Sequence, residues 1–157
     1  MKKLFSVIAL VFLFCGAFCF AKERVVKISV GGVELEGVIY DTDLAEEIAA
    51  KFPLSVSMVG FGGREYYGAI PFTPKNADGG QLRFDDGDIT YCATNNTLAI
   101  FYAQTDRPHL TMRVIPIGRL VQFENARRRN FARKINCGRV LVLRGIPQFR
   151  DVNFRRA

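Results

Sequence analysis

The side chains of this sequence that could do chemistry lie mainly in its aromatic strands. Arg64 and Glu65 follow the turn Phe61-Gly62-Gly63, so an acid and a base come together beside an aromatic ring. A buried acid is one interpretation of Glu65, and an ordinary ion pair with Arg64 is the other. Aromatic side chains with a few polar groups are typical of a concave pocket for a peptide or a small molecule. The candidate pocket residues are Phe61, Arg64, Glu65, Tyr91, Phe101 and Tyr102. Packing in the core is the alternative role for the aromatic ones.

Patterns of established catalytic sites are not found. Asp85, Asp86 and Asp88 surround Gly87 and could hold calcium, but they lack EF-hand spacing, and a tight turn is the favoured interpretation. The sequence has one histidine, no Gly-x-Ser-x-Gly elbow and no glycine-rich lysine loop for phosphate. We therefore predict neither a metal nor a cofactor.

The first 21 residues have the three regions of a secretory signal peptide. Lys2 and Lys3 give a positive start, an apolar run extends from Leu4 to Phe20, and Cys19 and Ala21 are small residues at the cleavage site. A membrane anchor is the alternative, but the apolar run is at the short limit for a spanning helix. We expect a protein that is periplasmic or secreted after cleavage.

Cleavage after Ala21 leaves two of the four cysteines, Cys92 and Cys137. Export permits a disulfide bond, and two cysteines allow one pairing. Two buried free thiols are the alternative, because sequence alone cannot test the geometry.

The net charge of +7 is unevenly distributed. Residues 22–118 contain 9 basic and 13 acidic residues, whereas residues 119–157 contain 11 basic and 2 acidic ones. The densest basic positions are Arg127, Arg128, Arg129, Arg133 and Lys134. A solvated helix face with a frayed tail is one interpretation. Contact with an anionic membrane surface or an acidic partner is the other, since arginine binds phosphate and carboxylate groups in a bidentate manner. We do not expect an exported protein to bind nucleic acid.

The elements that must position these residues are mostly strands. Apolar and polar residues alternate in eight segments, the first two joined at Gly31-Gly32. Helical spacing occurs twice, after the capping residues Asp41 to Asp43 and over Glu124 to Ile135. We predict a mainly β domain over residues 22–147, a closed eight-stranded barrel with two helices, followed by a mobile basic tail over 148–157.

A series of short motifs resembles the bacterial cyclophilin-like domain family. They are Val30 to Leu35, Tyr40 to Thr42, Phe52 to Val56, Gly62 to Glu65, Gly87 to Ile89, Asn96 to Tyr102 and Ile117 to Leu120. Their order is that of the family, and the resemblance covers Val25 to Gly145. It implies a cyclophilin-like barrel of eight strands capped by two helices.

The same resemblance bears on activity. True cyclophilins are prolyl isomerases that use an arginine in an apolar pocket, but this chain shows no Phe-His-Arg strand motif and has no tryptophan. A non-catalytic module that binds a peptide or a small molecule is therefore the first hypothesis. A divergent peptidyl-prolyl isomerase or periplasmic folding helper is the alternative. An arginine (Arg64, Arg83 or Arg113) that points into an apolar groove would favour the isomerase.

Overall fold

A computed structural model of the chain describes residues 24–30, 33–104, 109–121 and 140–145. Its nine strands are β1 Arg24–Val30, β2 Val33–Ile39, β3 Leu54–Ser57, β4 Val59–Phe61, β5 Glu65–Ala69, β6 Asp88–Cys92, β7 Thr97–Phe101, β8 Ile115–Leu120 and β9 Val140–Gly145. The predicted signal peptide, the arginine-rich segment and the basic tail lie outside the described residues.

The strands form one sheet in the order β3-β9-β1-β2-β8-β6-β7-β5-β4. The two end strands, β3 and β4, are separated in sequence by Met58 alone, so one bent segment pairs with β9 on one side and with β5 on the other. Strand β5 approaches β3 so closely at Gly68 that a Cβ atom there would lie 2.1 Å from the Ser57 carbonyl oxygen. The sheet is therefore a nearly closed barrel.

The strand count corrects the prediction of eight strands. The segment Leu54 to Val59 is predicted as a single strand, because apolar and polar residues alternate as far as Met58. In the structure this strand ends at Ser57 and a new one begins at Val59, because the chain changes its pairing partner from β9 to β5 at Met58. The sign of that change in the sequence is slight: the alternation stops at Met58 and Val59, two apolar residues in succession.

The described residues contain one helix, α1 Asp43–Ala49, rather than the two that were predicted. The Thr42 hydroxyl caps it by accepting a hydrogen bond from the Ala45 amide at 3.3 Å. Its buried face packs Leu44, Ala45 and Ile48 into the core. The second predicted helix, Glu124 to Ile135, lies outside the described residues. In the part of the chain that is described, no helix is long and apolar enough to cross a membrane.

Two apolar layers lie on opposite faces of the sheet. The barrel interior is filled by alternate strand residues, among them Ile28, Tyr66, Tyr91, Ile100 and Leu143. The second layer covers the outer face of β6 and β7 and consists of Phe84, Cys92, Ala99, Phe101, Leu110 and Val114. Every residue of β7 is consequently buried. This outer layer forms the base on which the candidate site is built.

Candidate functional site

A groove of about 160 Å³ lies on the outer face of the barrel, above the second apolar layer. Three strands and the segment before β8 supply its apolar lining, which is Phe61, Tyr67, Ala99, Leu110, Met112 and Val114. Two of these side chains are open to solvent, Phe61 with 55% and Met112 with 42% of its surface exposed. A volume of this size is close to that of cavities that hold one benzene ring. The groove can therefore receive one phenyl-sized apolar group.

The β4–β5 turn places an ion pair at one end of the groove. Gly62 and Gly63 adopt φ angles of +61° and +65°, a region that glycine enters without strain, and the Arg64 amide donates to the Phe61 carbonyl at 3.2 Å. Arg64 Nε then lies 3.5 Å from Glu65 Oε1. Only 11% and 12% of these two side chains are exposed, so the pair is largely desolvated.

Aromatic rings hold the Arg64 guanidinium in place. Its central carbon lies 5.9 Å from the centroid of the Phe61 ring and 5.7 Å from that of Phe84. Both distances are within the range of cation–π attraction. Arg64 is therefore positioned by Glu65 and by two rings, one on the groove rim and one in the outer layer.

The surroundings of Glu65 disfavour the ionised form of its carboxyl. Burial raises the pKa of its carboxyl above the ordinary value, and the neighbouring charge and hydrogen bond of Arg64 offset this only in part. Near it, in the barrel, the rings of Tyr66 and Tyr102 stack with their centroids 4.9 Å apart. Burial, with the neighbouring Tyr102, raises the pKa of Tyr66 to about 12. Both tyrosines are therefore neutral near pH 7, and among the described residues Arg64 forms the ion pair with Glu65.

The opposite end of the groove is polar but uncharged. The Thr97 hydroxyl donates to Asn95 Oδ1 at 2.6 Å, which fixes the Asn95 amide with its NH₂ group available as a donor. Glu65 pairs with Phe101 and Ala69 pairs with Thr97 across β5 and β7. Glu65 and Thr97 are thus four residues apart along the strand direction, or about 13 Å between their backbones.

Three of the six predicted pocket residues line this groove, namely Phe61, Arg64 and Glu65. The other three are placed in the two apolar layers. Tyr91 lies in the barrel interior and donates its hydroxyl to Asn96 Oδ1 at 2.9 Å, and Tyr102 lies there also. Phe101 is fully buried in the outer layer.

The other arginines considered from sequence do not line the groove. Arg113 donates to the Gly80 carbonyl at 2.9 Å. Arg83 borders a separate, broad depression together with Asp85, Asp86 and His109. Of the three arginines proposed as isomerase candidates, Arg64 alone lines the groove.

The remaining predicted residues are only partly described. Cys92 is buried, lines the groove and has no disulfide partner among the described residues. Cys137 lies outside them, so a bond between the two stays a prediction. Arg127, Arg128, Arg129, Arg133 and Lys134 also lie outside them. The acidic segment forms a turn in which Asp88 Oδ2 accepts from the Asp85 amide at 2.9 Å. Within the described ranges, no group of three acidic, histidine or cysteine side chains is arranged to hold a metal ion.

Comparison with known proteins identifies the fold and the family. A search of curated proteins finds no significant match. The solution structure of a hypothetical protein from Archaeoglobus fulgidus is similar, with a TM-score of 0.62 and 18% identity over 83% of this chain and 100% of that one. At this identity the similarity establishes the fold alone. Residues 28–136, well over half of the sequence, match the cyclophilin-like family. The bacterial origin suggested by the motifs stays a prediction, but the chain belongs to the cyclophilin-like family.

Proposed function

We propose that this protein is an exported binding module whose outer groove holds a peptide or a small molecule without catalysing a reaction on it. The observation that carries this proposal is the groove itself, an apolar cavity of about 160 Å³ with polar groups at both ends. The barrel interior is filled with side chains, which leaves the outer face as the place for a ligand. Clefts of mixed apolar lining and few polar groups are the usual sites for small ligands.

The engagement of Arg64 supports a non-catalytic role. The arginine of a prolyl isomerase must donate hydrogen bonds to its substrate, as the resemblance to cyclophilins implies. Here the guanidinium is paired with Glu65 and packed near two aromatic rings. Breaking a largely desolvated ion pair to bind substrate carries a high free-energy cost.

A peptide titration tests the groove. Acetyl-Ala-Ala-Phe-Ala-Ala-amide, added to isotopically labelled protein, should shift the NMR signals of Tyr67, Ala99 and Met112. Phe61→Ala should weaken this binding by about tenfold, since a contacting aromatic ring contributes on that scale. Val25→Ala, an exposed apolar residue of β1, is the matched control and should leave the affinity unchanged. Shifts confined to other parts of the barrel would contradict the proposal.

The isomerase is the second candidate, and the position of Arg64 at an apolar groove favours it. We expect the protein to leave the cis-to-trans rate of a Phe-Pro peptide at its uncatalysed value in a protease-coupled assay. Acceleration that Arg64→Ala abolishes would instead establish catalysis and would contradict the binding-only role.

Export and surface binding are proposed from sequence alone. If residues 1–21 are a signal peptide, the exported chain should begin at Lys22 by mass spectrometry. A chain that keeps residues 1–21 would contradict cleavage.

The arginine-rich segment is proposed to contact an anionic surface. The mature protein should bind vesicles of phosphatidylserine and release them as salt rises, because salt screens exposed charges. Arg127→Glu combined with Arg128→Glu should weaken this binding. If that variant binds the vesicles as tightly as the wild type does, the arginine-rich segment does not contact the anionic surface.

A further inference from the structure

The Glu65 carboxylate has acceptor capacity that its contacts with the described residues do not use. Among the described residues, those contacts are two from Arg64, with both Nε and Nη2 at 3.5 Å from Oε1. Charge-assisted hydrogen bonds are normally 2.7–2.9 Å long, so these contacts are long. An ionised carboxylate can accept about four hydrogen bonds on its two oxygens. Glu65 lines the groove, and a ligand there can supply a closer donor.

We propose that the groove binds an extended polypeptide segment by its apolar side chain and that Glu65 accepts a hydrogen bond from a backbone N–H of that segment. This inference rests on the proposed function and adds the chemistry of the ligand. Proline has no backbone N–H. The site therefore discriminates against proline at the residue whose amide meets Glu65, in contrast to a prolyl isomerase.

The two ends of the groove complement a peptide backbone. Glu65 is an acceptor at one end, and the Asn95 amide, oriented by Thr97, is a donor at the other. Strand pairing puts Glu65 opposite Phe101 and Ala69 opposite Thr97, so about four residues of extended chain separate Glu65 from Thr97 along the groove. A segment of that length offers a backbone N–H to the acceptor and a carbonyl to the donor. Its central side chain lies over Ala99, where the apolar cavity has the volume of a phenyl ring.

The desolvation of Glu65 explains why the backbone donor matters. Burial raises the pKa of this carboxyl in spite of the adjacent arginine, so its ionised form lacks full compensation. A hydrogen bond from a ligand N–H replaces part of the hydration that the carboxylate loses on burial. A ligand without that hydrogen excludes water from the carboxylate and donates no hydrogen bond to it. The cost of a buried acceptor left without a donor exceeds the net gain from an ordinary hydrogen bond.

An N-methyl scan of the peptide tests the inference. The probe is acetyl-Ala-Ala-Phe-Ala-Ala-amide, with one backbone amide methylated at a time, and a parallel set in which each alanine in turn is proline. We expect one position at which both changes weaken binding to the wild-type protein by at least about tenfold, the scale of a hydrogen bond to a charged group. Methylation of the other exposed amides should change the affinity much less.

Variants of the protein test whether Glu65 accepts the hydrogen bond from the amide at that sensitive position of the peptide. In Glu65→Met, which keeps the side-chain volume but removes the acceptor, the penalty for methylation should disappear. Glu65→Gln keeps an uncharged acceptor and should retain part of the penalty, so it serves if the methionine variant fails to fold. Glu36→Gln, at an exposed position of β2, is the matched control and should keep the full penalty.

The outcomes separate this inference from the proposed function. Binding that tolerates methylation and proline at every position would overturn the inference and leave the binding groove intact. A methylation penalty of the same size in wild type and Glu65→Met would also overturn it, because another group would then accept the N–H. Failure of every peptide to bind would overturn both.

Discussion

Replacing Phe101 with alanine should lower the free energy of unfolding by about 3–5 kcal/mol, the range for a fully buried phenylalanine. The side chain has 0% of its surface exposed and its ring stacks on Phe84, with centroids 4.0 Å apart and planes inclined by 20°. Removing it leaves a cavity in the outer layer beneath Arg64 and Glu65. Urea unfolding followed by circular dichroism measures the change.

Phe61→Ala is the matched control for this prediction. Both residues are phenylalanines within strands, but 55% of the Phe61 side chain is exposed. We expect Phe61→Ala to lower the free energy of unfolding by less than about 1 kcal/mol, as for most exposed positions. Equal losses in the two variants would show that the outer layer is not a packed core.

The burial of Phe101 also shows what the sequence could and could not predict of the site. The run from Leu98 to Tyr102 is apolar throughout, which is typical of a strand covered on both faces. That signal was sufficient to place Phe101 and Tyr102 in cores. Phe101 is covered by Phe84, Leu110 and Val114, whose segments resemble loops in the sequence, whereas Tyr102 lies in the barrel interior.

The groove could be predicted only where its residues are neighbours in sequence. Phe61, Arg64 and Glu65 are joined by one glycine turn, and their proximity follows from the sequence. Asn95 and Met112 reach the same groove from distant elements, and no local pattern connects them to Arg64. Their assembly depends on the pairing of β5 with β7 and on the course of the covering segment.

The fold was predicted better than the site because alternation is a local property. The mainly β barrel and the limits of most strands follow from period-two patterns, and α1 follows from its cap and its apolar face. The division at Met58 was missed because it arises from the closing of the barrel. Its local trace, the two successive apolar residues Met58 and Val59, does not distinguish a new strand from the end of the preceding one.

Replacing Arg64 with methionine should lower the free energy of unfolding by about 2–3 kcal/mol at pH 7. Loss of one partner from a fully buried ion pair costs about 3–5 kcal/mol, and the exposure of about a tenth of each side chain here reduces that figure. Methionine approximates the length of the arginine side chain but loses the cation–π contacts with Phe61 and Phe84. The loss therefore combines those contacts with the uncompensated charge of Glu65, and its pH dependence reports the second.

The loss should also depend on pH, with a sign that follows from Glu65. Its pKa in the folded protein is above the ordinary value of 4.5, and in the variant the pKa should rise further because the lowering influence of Arg64 is removed. A raised acid pKa means that the folded state binds more protons than the unfolded state. Stability then falls as pH rises from about 4.5 through the folded pKa. The difference between wild type and Arg64→Met should thus be largest at neutral pH and shrink as pH approaches 4.5.

The double variant Arg64→Met with Glu65→Gln isolates the charge. It lacks the titrating carboxyl, so its stability difference from wild type should vary less with pH than that of Arg64→Met alone. It should also be more stable than Arg64→Met at pH 7, because a neutral amide is easier to bury than an unpaired carboxylate. If Arg64→Met loses the same stability at pH 5 and pH 7, the pair does not control the ionisation of Glu65. The ionised carboxyl of Glu65 would then not depend on Arg64 for its stability.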